Sequence, residues 1–338
     1  MMKLNLQQIK AITLGATRVE EDQNGYNFYR FTEKQMEIYK PRRETFYRNT
    51  FSTSGVCLAF NTNSKSLYLS ASVLKSSSQN YFSFDLFVNG EMVDSLNNFE
   101  NVNFDKSYGY NHMGFPFGDF EKNFSLCDGE KEVRIYLPWS ATAIIKEISL
   151  DDGTFLKPVK SKYKMLAFGD SITQGYHSLY PSSKYVTRLA NFLDAEEYNK
   201  AIGGEIHFPE LAKEKDNFTP DFITVAYGTN DWSKCGYDET KDNCTAFYEN
   251  LCKSYPDTKI FTITPIWRKD EAEERPFGDF ESVTELIKEV TAKFENVTVI
   301  TGYDFIPHEE KYFADRRLHP NDEGFLRYFK SLSEQIRL

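Results

Sequence analysis

From about residue 65 the chain alternates apolar and polar positions with the period of a half-buried strand. Leu67, Leu69, Ala71 and Val73 alternate with Tyr68, Ser70 and Ser72, and Phe82, Phe84, Leu86 and Val88 repeat the pattern. The second run ends on Asn89-Gly90, the strongest short hairpin signal, and Glu91-Met92-Val93 returns from it. Val133, Ile135 and Leu137 alternate with Arg134 and Tyr136, and Ala143 to Leu150 forms another apolar strand. Many short strands separated by turn residues predict a β-sandwich or jelly roll.

The pattern then changes. Asp151-Asp152-Gly153 marks a turn, and Lys157 to Lys162 is a polar crossing. Beyond it Tyr163 to Phe168 reads as a short buried strand, and Tyr185, Val186, Leu189, Ala190 and Leu193 share one helical face. Phe222 to Tyr227, Ile260 to Ile263 and Val297 to Ile300 are further strands. Val283, Leu286, Ile287, Val290 and Phe294 form a second helical stripe. Phe325, Tyr328, Phe329, Leu332 and Ile336 form a last one, with Asn321 or Asp322 as its cap. Strands alternating with helices predict a parallel, doubly wound α/β sheet of about five strands. The chain of 338 residues is therefore read as two domains, an all-β one over 1–156 and an α/β one over 157–338.

The strand at 163–168 stops on Gly169-Asp170-Ser171, which puts a hydroxyl just past the carboxyl end of a parallel strand, where such sheets bind ligands. Alone, the tripeptide reads equally well as a turn in which Asp170 or Ser171 caps the next helix. Downstream stand Gly203-Gly204, then Gly228-Thr229-Asn230-Asp231, then His319-Pro320-Asn321-Asp322. Four blocks in this order resemble the SGNH hydrolases, also called the GDSL esterase/lipase family, over roughly Tyr163 to Leu338. The resemblance implies a flavodoxin-like three-layer sandwich behind the β-sandwich, and a serine esterase working through an acyl-enzyme. It makes Ser171 the nucleophile and His319 the base, and gives the oxyanion hole to the Ser171 N–H, Gly204 and the Asn230 amide. The family usually has an acid three residues before the histidine. Here Asp315 stands four before His319, which leaves open a Ser-His-Asp triad or a Ser-His dyad. The Gly-x-Ser-x-Gly elbow of the α/β-hydrolases is absent around Ser171.

Charge and composition narrow the partners. Asp plus Glu number 50 against 40 Lys plus Arg, and this acidic balance argues against a nucleic-acid partner. No run is long enough to cross a bilayer, and Met1 to Lys10 lacks the apolar core of a secretory signal. Five cysteines without zinc or disulfide spacing predict free thiols in a reducing cytoplasm. No metal-ligand spacing or glycine-rich phosphate loop appears, so neither a metal nor another cofactor is expected.

An N-terminal jelly roll ahead of such a domain resembles two-domain carbohydrate esterases, which implies a short-chain acetyl esterase acting on a small-molecule or oligosaccharide ester. Tyr26, Phe28, Tyr29 and Phe31, with Tyr108, Tyr110, Phe115, Phe117 and Phe120, could stack on sugars or fill a core. Trp232 and Trp267 could narrow an acyl pocket or simply pack. His177 and His207 lie close in sequence to the first two blocks and could touch substrate, whereas His112 and His308 read as ordinary residues. A lipid or thioester acylhydrolase and a sugar-binding protein without turnover are the alternative readings.

Overall fold

The computed structural model describes all 338 residues, the side chain of Asn111 excepted. Two antiparallel sheets make the first half. One runs Arg18–Asp22, Gly25–Tyr29, Ala141–Leu150, Ser66–Lys75, Gly118–Ser125 across its width; the other runs Lys157–Pro158, Cys57–Thr62, Lys131–Tyr136, Ser83–Val88, Glu91–Asn97. The alternation predicted from the sequence sets which side chains meet between them. Leu67, Leu69, Ala71 and Val73 point in from one sheet and Phe84, Leu86, Val133 and Ile135 from the other, all buried. Asn89 and Gly90 both take positive φ at the hairpin tip. Tyr26 and Phe28 belong to this core.

The first half also holds three helices that hydrophobic periodicity did not announce: Leu6–Ile12, Glu33–Tyr39 and Glu44–Asn49. Two start on capping boxes, Asn5 with Gln8 and Thr32 with Gln35, each side chain accepting from the other residue's backbone N–H. Phe31, Met36 and Tyr39 pack into the core of the second half, not into the sandwich.

In the second half five parallel strands, β1 (Tyr163–Gly169), β2 (Ala195–Asn199), β3 (Phe222–Ala226), β4 (Lys259–Ile263) and β5 (Val297–Ile300), lie in the order 2-1-3-4-5. Helices cover both faces, so successive residues of one strand enter different cores. Leu166 and Phe168 of β1 pack with the helices Tyr237–Ser254 and Glu281–Thr291, while Met165 and Ala167 pack with Tyr185–Phe192 and Asp322–Ser333. The last helix is capped by Asn321, whose Oδ1 accepts the Gly324 N–H at 3.0 Å. The strand order reverses between β1 and β3, which opens the crevice where a ligand sits.

A buried guanidinium ties the two halves together. Arg30 Nη1 donates to the carbonyls of Asn199 (2.8 Å) and Ala201 (2.7 Å), Nε to Ser52 O, and Nη2 to Asn49 O. Its burial lowers its pKa to about 9.

Candidate active site

Ser171 is aimed by the turn that ends β1. Asp170 caps the helix Ser171–Gln174, its carboxylate accepting the Ile172 N–H at 2.9 Å. A side chain at Gly169 would strike Thr173 Oγ1 at 2.2 Å, so the turn closes only over glycine. As the first helical residue, Ser171 has a backbone N–H with no intrahelical acceptor. Its Oγ lies 2.8 Å from His319 Nε2, and His319 Nδ1 lies 2.7 Å from Asp315 Oδ2.

The four-residue spacing is absorbed locally. Arg316 takes a left-handed φ of 54°, and the chain folds back so that the N–H groups of Arg317, Leu318 and His319 all donate to Asp315 Oδ1 at 2.9, 2.8 and 3.0 Å. The other oxygen is left for the imidazole. Burial alone would raise the Asp315 pKa, but the hydrogen bond and charge of His319, with the Leu318 N–H, hold it well below the usual carboxylate range.

The loop Gly203–Glu205 lies beside the turn that carries Ser171, the Ile202 N–H donating to Gly169 O at 3.2 Å, and most of its polar backbone groups are occupied. The Gly203 N–H donates to Gln174 Oε1 at 2.8 Å and the Glu205 N–H to Ile202 O at 3.0 Å. Gly204 O accepts from Lys234 Nζ, and Glu205 O accepts from Asn230 Nδ2 at 3.1 Å. The Gly204 N–H has no protein acceptor among the described residues. Gly204 holds a φ of 85°, a conformation that suits glycine. Asn230 is the second residue of the helix Thr229–Lys234 just after β3 and has a second amide hydrogen left to give.

The remaining predicted residues separate sharply. His177, buried and at a left-handed φ of 69°, stacks on His319 with ring centroids 4.9 Å apart and 23° between planes. Burial, and then the charge of His319, lower its pKa to about 3, so it stays neutral. His207 is 1% exposed and faces Asp231, not the cleft. Trp232 is core: its indole N–H donates to Gly278 O at 2.7 Å and its ring lies between Arg268 and Arg275. Trp267 stacks on His308 at 5.2 Å. Phe31, Tyr110 and Phe115 are buried, whereas Tyr108 is 41% exposed with the Arg316 guanidinium 3.7 Å above its ring.

His177, Asp315 and His319 bring donor atoms within 4.8 Å of one another. Asp315 and His319 already use theirs on each other and on Ser171, and stacked rings do not point their in-plane lone pairs at one spot, so the group does not form a metal cage. All five cysteines are free. Among the described residues no helix is long and apolar enough to cross a membrane. Sequence reasoning missed Gln174, Lys234 and Asn49, which hold the Gly203–Gly204 loop directly or through another side chain. Gln174 stood inside the first block and could have been asked what it holds. Asn49 carried no signal at all.

A serine hydroxyl at the end of β1, an amide after β3 and a histidine before the last helix have the layout of an SGNH-type ester hydrolase. Residues 167–326 match the GDSL-like lipase/acylhydrolase family. The protein is a carboxylic-ester hydrolase. No curated protein matches the sequence. Among solved structures it is similar to a salicylyl-acyltransferase from a tetracycline biosynthetic pathway, at 19% identity over 95% of this chain and 92% of that one, TM-score 0.78. It is similar to a putative GDSL-like lipase from Bacteroides ovatus, at 19% identity over 98% and 95%, TM-score 0.75. An acetyl xylan esterase from the rumen bacterium Butyrivibrio proteoclasticus matches at 16% identity over 99% and 98%, TM-score 0.63. At these identities the likeness is one of fold, and it takes in both halves of the chain.

Proposed function

We propose that this esterase removes acetyl groups from carbohydrate through an acyl-enzyme on Ser171. The observation that carries the reading is the unbroken contact from Asp315 through His319 to Ser171 Oγ. Ser171 Oγ attacks the ester carbonyl as His319 Nε2 takes its proton, and Asp315 holds the Nδ1–H and balances the imidazolium. The carbonyl oxygen becomes an oxyanion that accepts from the Ser171 and Gly204 N–H groups and from the Asn230 amide. The intermediate collapses, the C–O bond to the sugar breaks, and His319 returns the proton to the departing hydroxyl. A water repeats the sequence on the acyl-serine and releases acetate.

Two observations favour a sugar as the alcohol. An acetyl xylan esterase shares the architecture over nearly the whole chain. A cleft of about 780 Å³ flanks the histidine loop, with Tyr108 and Lys106 from the first half and Tyr180, Tyr312 and Arg316 from the second, a mix of aromatic faces and polar groups that suits a sugar. A panel of nitrophenyl esters of rising chain length, with acetylated xylo-oligosaccharide beside it, tests the proposal. The expected result is fastest turnover of acetate and acetate release from the oligosaccharide. Preference for long acyl chains would support a lipid or thioester substrate, and binding of the oligosaccharide without turnover a binding protein.

A further inference from the structure

We propose that Gln174 and Asn49 are positioning residues for the oxyanion hole, so that the first half of the chain helps aim the Gly204 N–H. The inference rests on the esterase reading above. The peptide that carries the Gly204 N–H lies between two anchors. At one end the Gly203 N–H donates to Gln174 Oε1 at 2.8 Å; at the other, Gly204 O accepts from Lys234 Nζ. Tyr176 closes the remaining freedom, since its ring would stand 2.5 Å from any side chain placed on Gly203.

The Gln174 amide can sit only one way round. A backbone N–H at Gly203 requires an acceptor, and the Trp139 carbonyl, 3.3 Å from Nε2, requires a donor. Asn49 locks that orientation from across the molecule: its Nδ2 donates to Gln174 Oε1 at 3.0 Å and its Oδ1 accepts from Nε2 at 2.7 Å. Ser52 Oγ accepts from the same Nε2 at 3.2 Å. Both amide side chains are buried, and Arg30 holds the Asn49 carbonyl in turn at 3.0 Å. Removing Asn49 takes away two of the hydrogen bonds that hold the buried Gln174 amide in that orientation and leaves it held by fewer partners. Removing the Gln174 oxygen leaves the Gly203 N–H without an acceptor and lets the Gly203–Gly204 peptide turn.

An oxyanion donor works only if it is already aimed when charge develops, because turning it during the reaction costs what it would have gained. Loosening one should lower kcat by less than its removal does, and should leave binding of the neutral ester nearly unchanged. The test measures kcat and KM on p-nitrophenyl acetate, and inhibition by phenylboronic acid, which forms a tetrahedral adduct on an active-site serine. Gln174→Met keeps the shape without the hydrogen bonds, and Asn49→Ala leaves Gln174 its other partners.

Relative to wild type, kcat should fall about 10- to 100-fold in Gln174→Met and about 5- to 20-fold in Asn49→Ala, with KM moving less than about threefold. Boronate affinity should fall in step with kcat, while circular dichroism at the assay temperature is unchanged. A merely structural role would lower the unfolding midpoint and leave kcat and boronate affinity alone. Asn49→Ala decides the matter if Gln174→Met fails to fold. Folded variants with kcat within twofold of an active wild type, or with the change confined to KM, overturn the proposal alone. A wild type inactive on every ester overturns the esterase reading and this proposal with it.

Discussion

Of the Asp–His pairs in the α/β half, two that lie away from the open surface stand in very different surroundings. His319 Nδ1 meets Asp315 at 2.7 Å and His207 Nδ1 meets Asp231 at 2.9 Å. The second nitrogen makes the difference. In His319 it faces Ser171 Oγ, with the side chain still 16% open to solvent; in His207 it is buried without a hydrogen-bond partner. Burial opposes charge on His207, but the Cys244 sulfur and the Asp231 carboxylate outweigh it and raise its pKa to about 10. An imidazole already protonated at neutral pH cannot serve as a base. Its work is to brace the Asn230 turn, because Asp231 also accepts the N–H groups of Gly228 and of His207. Contact with a carboxylate, then, does not by itself set a histidine's role; what its second nitrogen meets matters as much.

Breaking the first pair's target should have the largest effect. Ser171→Ala should lower kcat by about a thousandfold or more, since no other group can form the acyl-enzyme. A serine-directed phosphonate should label wild type and spare this variant, and labelling elsewhere would move the nucleophile. Asp315→Asn comes next, at about a hundred- to ten-thousandfold in kcat with only a modest change in unfolding midpoint. Activity within about fivefold of wild type would mean that His319 needs no carboxylate.

Asp231→Ala should show the reverse balance. It strands a buried imidazole and two backbone donors, so urea titration should find the unfolding free energy lower by about 3–5 kcal/mol, well beyond the cost of Asp315→Asn. Equal losses would erase the distinction between a brace and a relay.

The smallest effect is in the pH dependence. Because the folded pKa of His207 lies above its unfolded value of about 6.5, the stabilisation it gives is complete below that pH and is lost as pH rises towards about 10. The stability gap between wild type and Asp231→Ala should therefore narrow between pH 6 and pH 10. A constant gap would mean that His207 is neutral in the folded protein.

Much of the fold was readable because one rule governs it locally. Alternation at Leu67–Val73 and at Phe82–Val88, the Asn89-Gly90 turn and the stripe at Val283–Val290 depend only on neighbours in sequence, and each appears as an element where its pattern stands. The helices at 33–39 and 44–49 were missed because their apolar residues serve a core built mainly by residues far along the chain, although Thr32-x-x-Gln35 had the spacing of a capping box. Tyr26 and Phe28 were ambiguous for a related reason: aromatic residues in a strand look the same whether the sheet face is covered or open. At the site, the blocks pointed to Ser171, Gly204, Asn230 and His319. They could not show that Asp315 reaches the ring, which depends on one backbone angle at Arg316, or that Asn49 meets Gln174 across 125 positions of chain.

The left-handed turn at Arg316 has a consequence for how this loop tolerates insertion and deletion. An added residue usually throws the rest of a loop out of phase, yet here the loop is moored at both ends, by the Gly109 N–H on Ala314 O and the Asn321 amide on Ser107 O. The surplus is taken up as a small knot of three amides around one carboxylate oxygen. Cutting Arg316 to give a three-residue spacing would not simply shorten the loop. It would remove the residue that lets the knot close, and leave amides and carboxylate to find new partners. Within a moored loop of this kind, length has to be judged by where its two ends and its one ring are held, and residue counting between the acid and the base is a poor ruler.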